Sequence, residues 1–153
     1  MNEEKKGIKV LFADVDRTLN TAKTPNDNGW PLDPYMCFLV GRIVEETGCK
    51  VVLSSAWRYS NEGIAEVEKH VVKIMDTTRN DGLGTTLSYR GEKSRGTEIQ
   101  EWLDRHPEVT KYAILDDDRN MLESQLPNFF PTSPLEGLTD EIANKVIEHL
   151  GKK

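Results

Sequence analysis

Cysteine is scarce in this chain. Cys37 and Cys49 are the only two among 153 residues, and neither belongs to a C-x-x-C pair or a Cys/His cluster. That excludes a disulfide framework and a zinc site. Two isolated thiols read as reduced groups of a cytoplasmic protein. Long apolar runs are also missing. Residues 36–40 form one of the longest, far short of the ~20 residues that cross a bilayer. The opening MNEEKKGIKVLF holds too short an apolar stretch for a signal peptide. Positive charge is in deficit: 20 Lys and Arg stand against 26 Asp and Glu, a net charge of −6. Non-specific duplex binding needs a basic field and is not expected. No repeat, heptad or low-complexity tract is visible.

What remains is the composition of a globular protein, 37% hydrophobic and 30% charged. The length suits one domain over residues 1–153, with a core over about 8–150. Short apolar runs alternate with helix-like segments. Residues 8–13 (IKVLFA), 50–54 (KVVLS) and 111–115 (KYAIL) have the length of buried strands. Weaker strands are expected at 85–89 and 129–130. A helix from Pro34 to Thr47 is announced by Asp33 as cap, Pro34 at its first position and Gly48 as stop. A second opens at Asn61, with Ile64, Val67, Val71 and Met75 on one stripe. A third opens at Ser94, carries Ile99, Trp102 and Leu103, and stops before His106-Pro107. The last follows Thr139, with Asp140 and Glu141 in its first turn. His70, His106 and His149 lie at polar or helix-end positions and receive no chemical role, and Trp57 and Trp102 read as packing residues.

Strands alternating with helices imply a parallel sheet with helical crossovers. In such sheets a site forms beyond the carboxyl ends of the strands. Asp14-Val15-Asp16-Arg17-Thr18 follows the first strand, Ser54-Ser55-Ala56-Trp57-Arg58 the second, and Asp116-Asp117-Asp118 the strand at 111–115. Lys93 and Arg95 stand at the start of the third helix. Carboxylates gathered this closely repel one another unless a counter-charge is present. Oxygen ligands without Cys or His favour Mg²⁺ over Zn²⁺. Such an ion recruits phosphate oxygens, and a hydroxyl and a cation at the rim would complete a phosphate cradle. One carboxylate of the Asp14/Asp16 pair can then attack phosphorus while the other serves as acid and base.

At these residues the chain resembles the haloacid dehalogenase (HAD) superfamily. FADVDRTLN is similar to its first motif, VVLSS to the second, Lys93 to the third-motif lysine, and AILDDD to the fourth. Within it, SSAWR, RGTEIQEWL, YAILDDD and GLT resemble a subgroup of HAD domains associated with RNA repair, some fused to polynucleotide kinases. The resemblance implies a three-layer α/β/α sandwich with a parallel, Rossmann-like sheet in strand order 3-2-1-4-5. It implies a Mg²⁺-dependent phosphomonoester hydrolase working through an aspartyl-phosphate. Asp14 matches the nucleophile and a metal ligand. Asp16 matches the general acid/base, whose backbone carbonyl binds the metal. Asp117 matches the fourth-motif ligand, supported by Asp116 or Asp118. Ser54 or Ser55 matches the phosphate-binding hydroxyl, and Lys93 or Arg95 the phosphate-binding cation. Arg17 stands where the family usually has Gly. It either faces the phosphate or spoils a turn that Gly favours.

The family's cap domains are expected to be absent, because neither inter-motif segment is long enough for a separate core. An open site admits a phosphorylated nucleic-acid end or a nucleotide, and Arg17, Arg58, Arg90, Lys93 and Arg95 are the cations available to flank it. The competing readings are a broad small-molecule phosphatase, a weak phosphate-binding module disabled at Arg17, and a phospho-receiver domain. The receiver suits the motif order least, since receivers carry their paired acids first.

Overall fold

The computed structural model describes residues 7–25, 31–78 and 94–153. Five strands form one sheet: β1 (Ile8–Ala13), β2 (Lys50–Leu53), β3 (Ile74–Thr77), β4 (Val109–Asp116) and β5 (Phe129–Pro131), in the order β3-β2-β1-β4-β5. Every pairing is parallel. This is the strand order implied by the resemblance. Among the described residues the α-helices are α1 (Pro34–Thr47), α2 (Asn61–His70), α3 (Arg95–Asp104) and α4 (Asp140–Leu150).

Alternation along the strands builds the layers. Leu11, Ala13, Val51, Leu53, Ala113 and Leu115 face one side, where they pack with Leu39, Val40 and Ile43 of α1, Val67 of α2 and Val146 and Leu150 of α4. Val10, Phe12, Val52 and Ile114 face the other side and meet Ile99 and Trp102 of α3. Successive strand residues point to opposite faces, so two apolar layers follow from continuous apolar runs. Trp102 is fully buried and meets Phe12 edge-on, with ring centroids 5.4 Å apart. The described residues between β1 and α1, and between the 3₁₀ turn Ala56–Tyr59 and α3, hold no cap. Each interval is too short for one. Among the described residues no helix is long and apolar enough to cross a membrane.

The local signals work as capping chemistry demands. The Asp33 carboxylate accepts from the amides of Tyr35 and Met36, and Gly48 ends α1 in the left-handed region at φ 74°. Ser94 accepts from the Thr97 amide and Thr139 from that of Ile142. Two expectations need correction. Ser60, not Asn61, caps α2 by accepting from the Gly63 amide. The stripe through Val71 and Met75 does not continue, because α2 ends at His70 and Met75 lies in β3. There Ile74 pairs with Val51, and the Glu68 carboxylate accepts from the Ile74 amide. A 3.6-residue stripe and a β-branched run share apolar positions, and the unpaired edge of β2 decides between them. The strand expected at 85–89 lies outside the described residues. Cys37 and Cys49 are both buried free thiols, and burial pushes Cys37 up to about 11, which keeps it inert.

The seating of α3 is the feature that positions the site. Gly96 donates to the Asn120 carbonyl and its own carbonyl accepts from Gln125. A Cβ on Gly96 would lie 2.6 Å from Gln125 Oε1, 2.7 Å from the Leu122 nitrogen and 2.8 Å from Met121 Cα. Two of those atoms are backbone and cannot swing away. Gly96→Ala is therefore expected to destabilise the protein by about 1–3 kcal/mol, despite the better helix propensity of Ala. Urea unfolding checks this, and an unchanged midpoint would contradict the close approach.

Candidate active site

The strand registers line up one row of polar residues. Ala13 is paired with Leu53 and with Leu115, and Leu53 with Thr77. One residue further along, Thr78, Ser54, Asp14 and Asp116 therefore stand side by side at the carboxyl edge. Backbone bonds carry the ladder into this row: Asp14 donates to Leu115, Ser54 to Ala13, Thr78 to Leu53 and Thr132 to Asp116. The apolar core stops at the row, and polar side chains begin there while still buried.

Asp14, Asp116 and Asp117 offer carboxylate oxygens within 4.8 Å of one another. Asp14 and Asp116 are buried. Arg95, the first residue of α3, lies between them, its Nη1 3.7 Å from Asp14 and 3.5 Å from Asp116. Burial raises the Asp14 pKa well above the usual carboxylate range, the neighbouring Asp116 charge adds to this, and Arg95 opposes it. Burial likewise brings Asp116 up to about 6, again against Arg95. On Arg95 the cost of burial is outweighed by Asp116 and Asp14, so its pKa is raised. Three carboxylates face one half-buried guanidinium, Arg95, and one exposed one, Arg17 beside Asp117, which leaves negative charge in excess. Asp116 Oδ2 is buried and has no hydrogen-bond partner among the described residues. An all-oxygen donor set with that charge excess fits a hard divalent cation, Mg²⁺ foremost.

Asp16 is set apart. Its side chain is exposed, and its carboxylate accepts from Trp57 Nε1 and from Asn20 Nδ2, each at 3.2 Å. It is outside the carboxylate cluster, so a part in metal binding would fall to its backbone carbonyl. The two acids of the D-x-D segment thus occupy different environments, one buried beside two carboxylates and one held at the surface. Trp57 was expected only to pack. It does so, 7% exposed, but its indole N–H also fixes Asp16.

Arg17 does not spoil the turn. It adopts the left-handed conformation itself, at φ 65°. Its amide donates to Asn20 Oδ1 and its carbonyl accepts from the Thr132 hydroxyl. The side chain is 63% exposed and reaches to 3.9 Å from Asp117.

The hydroxyls at the end of β2 differ. Ser55 Oγ caps the following turn by accepting from the Trp57 amide. Ser54 Oγ is buried without a partner, so of the two it is the one free to meet a ligand. Thr78, which the sequence pattern did not single out, has the same character: buried, at the end of β3, its Oγ1 unpartnered. Its only signal was its position after a strand hidden under a helical stripe. Arg58 departs from expectation. The residue is 3% exposed and its guanidinium donates to both Glu98 oxygens at 2.8 Å, to the carbonyls of Ser54 and Ser55, and to Tyr59. A cation so committed does not line an open phosphate channel. Arg90 and Lys93 lie outside the described residues.

A family model described as the HAD domain in Swiss Army Knife RNA repair proteins matches residues 10–143. No curated protein matches the chain.

Binding of Mg²⁺ to the carboxylate cluster should raise thermal stability. Saturation at 100 times Kd contributes about 2.7 kcal/mol, or roughly 5–10 °C for a chain of this size. Asp117→Asn should remove most of the gain, and chelator should reverse it. The effect must depend on pH with a definite sign. Because the folded-state pKa values of Asp14 and Asp116 are raised, the stability these two groups contribute to the metal-free protein is fully present in acid and is lost as pH rises from about 4 through about 6. Cation and proton compete, so the Mg²⁺-induced shift should grow over that same window. Differential scanning fluorimetry from pH 4.5 to 7.5 reads both trends, and a Mg²⁺ shift that shrinks with rising pH would overturn the assignment.

Proposed function

Because the chain belongs to the family of HAD domains found in Swiss Army Knife RNA repair proteins, we propose that it is a Mg²⁺-dependent phosphomonoester hydrolase that works through an aspartyl-phosphate on Asp14 and acts on phosphorylated nucleic-acid ends. One observation carries the reading. Among the described residues, the buried side-chain polar atoms without a hydrogen-bond partner are Ser54 Oγ, Thr78 Oγ1, Arg58 Nε, Arg95 Nη1 and Asp116 Oδ2. All belong to residues at the carboxyl edge of the sheet or at the start of α3. A buried polar atom left unpaired costs about 1–3 kcal/mol, and folds avoid scattering such atoms. Three of these groups, Ser54 Oγ, Thr78 Oγ1 and Arg95 Nη1, donate hydrogen bonds, and with the Asp116 oxygen they suit a phosphoryl group with its counter-ion, whereas Arg58 Nε belongs to the guanidinium bound to Glu98.

The chemistry follows from the two environments of the D-x-D acids. An Asp14 oxygen attacks phosphorus, the bond from phosphorus to the leaving oxygen breaks, and Asp16 delivers a proton to that oxygen. Asp16 next takes a proton from water as the water oxygen attacks the same phosphorus. The bond to Asp14 breaks, releasing phosphate and restoring the carboxylate. Ser54 and Arg95 donate to the phosphoryl oxygens as negative charge builds on them, with Lys93 the alternative cation. Asp14, Asp116 and Asp117, with the Asp16 backbone carbonyl, would hold Mg²⁺, which would supply charge neutralisation to the site. Trp57 and Asn20 keep the Asp16 carboxylate at the water-facing side. Family membership sets aside the phospho-receiver alternative. The left-handed Arg17 supports an intact first motif over a disabled one.

Asp14→Asn should abolish both turnover and phosphoryl labelling, because an amide is a poor nucleophile. Asp16→Asn should still form phosphoenzyme from a substrate with a good leaving group and accumulate it, since hydrolysis loses its base. Rapid-quench labelling distinguishes the two. More than a few per cent of wild-type turnover in Asp14→Asn would end the covalent mechanism.

The nucleic-acid part of the reading is supported by the family description and the uncapped edge. Among the cations expected to flank the opening, the described residues leave Arg17 as the exposed one, while Arg95 lies deeper, beside Asp14 and Asp116. A 3′- or 5′-phosphorylated oligonucleotide should show a higher kcat/KM than the matching mononucleotide. That advantage should shrink as salt rises from about 50 to 200 mM and screens the backbone contacts. Equal values, or a preference for a sugar phosphate, would leave a small-molecule phosphatase.

A further inference from the structure

We infer that Arg58 and Glu98 are positioning residues whose buried ion pair holds Arg95 between Asp14 and Asp116, an assignment whose catalytic meaning rests on the phosphoryl-transfer reading above. The Arg58 guanidinium joins two separate parts of the site. Nη1 donates to the carbonyls of Ser54 at 3.1 Å and Ser55 at 2.8 Å, the two residues that follow β2. Nη2 donates to both Glu98 oxygens at 2.8 Å. Glu98 lies three residues after Arg95 on α3, so the two share a helix face. On its other side the first turn of α3 is tied to the segment after β4 through Gly96, Asn120 and Gln125.

Arg95 itself is not fixed by the carboxylates it faces. Its Nη1 lies 3.5 and 3.7 Å from them and makes no hydrogen bond. Its place is set by the pose of α3, and that pose is set by the two ties. Stability alone does not account for the pair. A buried ion pair replaced by apolar residues of similar volume is commonly as stable or more so, whereas removal of one partner strands the other charge. What an apolar pair cannot reproduce is the fork that binds Glu98 and two carbonyls at once.

That difference supplies the test. In the Arg58→Met/Glu98→Met double variant no charge is stranded, so Tm is expected to stay within a few degrees of wild type. Its kcat/KM for a phosphomonoester should nevertheless fall about 100-fold, the usual cost of an ångström-scale displacement of a catalytic group. The Arg95 Nε–H resonance in ¹⁵N NMR, assigned by its loss in Arg95→Lys, should lose its exchange protection. Arg58→Lys keeps the charge paired with Glu98 but lacks the fork, and should fall roughly tenfold in kcat/KM with the Arg95 signal weakened. It carries the test if the double variant does not fold. A double variant with kcat/KM within about twofold of wild type, or with Arg95 still protected, overturns the brace. A wild-type protein that hydrolyses no phosphomonoester sinks the phosphatase reading instead, and the Arg95 resonance still decides whether Arg58 and Glu98 position it.

Discussion

Burying carboxylates beside one another is the constraint from which the rest of this structure follows. Asp14 and Asp116 are taken out of water at adjacent strand ends, with Asp117 close by. In a low-dielectric setting such groups either hold a proton or find positive charge. The protein supplies one fixed cation, Arg95, and leaves the remainder to a proton or a divalent ion. This makes the start of α3 part of the site and not merely part of the scaffold. Gly96 is there because any larger residue would push the helix off the segment after β4, and Glu98 because Arg58 must be held in a place without water.

The position of the polar row has an equally plain cause. Parallel strands in register end together, so the residues one step beyond the apolar core come side by side. Asp14, Ser54, Thr78 and Asp116 share no proximity in sequence, yet Asp14, Ser54 and Asp116 are each the first polar residue after their strand's apolar stretch, and Thr78 is the residue that follows β3. The sheet continues its backbone ladder through them, which fixes their Cα positions without spending their side chains. Ser54 Oγ, Thr78 Oγ1 and Asp116 Oδ2 stay unpartnered for that reason. The same ladder that buries them also aligns them.

Arg17 shows how much strain such an edge accepts. A left-handed conformation costs a residue with a side chain about 1–2 kcal/mol, and the turn absorbs it through Asn20 and Thr132, which bind the Arg17 amide and carbonyl. Thr132 also meets the Thr18 hydroxyl at 2.9 Å, so the segment after β5 locks the segment after β1. The side chain is then free to stand at the rim beside Asp117, where a glycine would present nothing.

Local chemistry was legible in the sequence wherever a signal and its consequence lie within a few residues. The cap at Asp33 with Pro34 and Gly48, the caps at Ser94 and Thr139, and the apolar runs of β1 and β2 state their elements outright. The alternation of those elements implies the parallel sheet. The D-x-D segment, the serine pair and the run of three aspartates mark the strand ends where ligands gather, and their order resembles the HAD motifs closely enough to imply strand order and family. Only the tertiary structure decided matters that depend on a distant partner. β3 exists because β2 offers a free edge, although its residues continue a helical stripe. Ser54 and Ser55 are adjacent and chemically identical, and what separates them is that one hydroxyl caps a turn. Arg58 is buried and Arg95 half-buried near the same edge. One is bound by a glutamate 40 residues away and the other faces two carboxylates. A side chain's type is a property of the chain, but whether its charge is spent depends on which groups folding brings within a few ångströms of it.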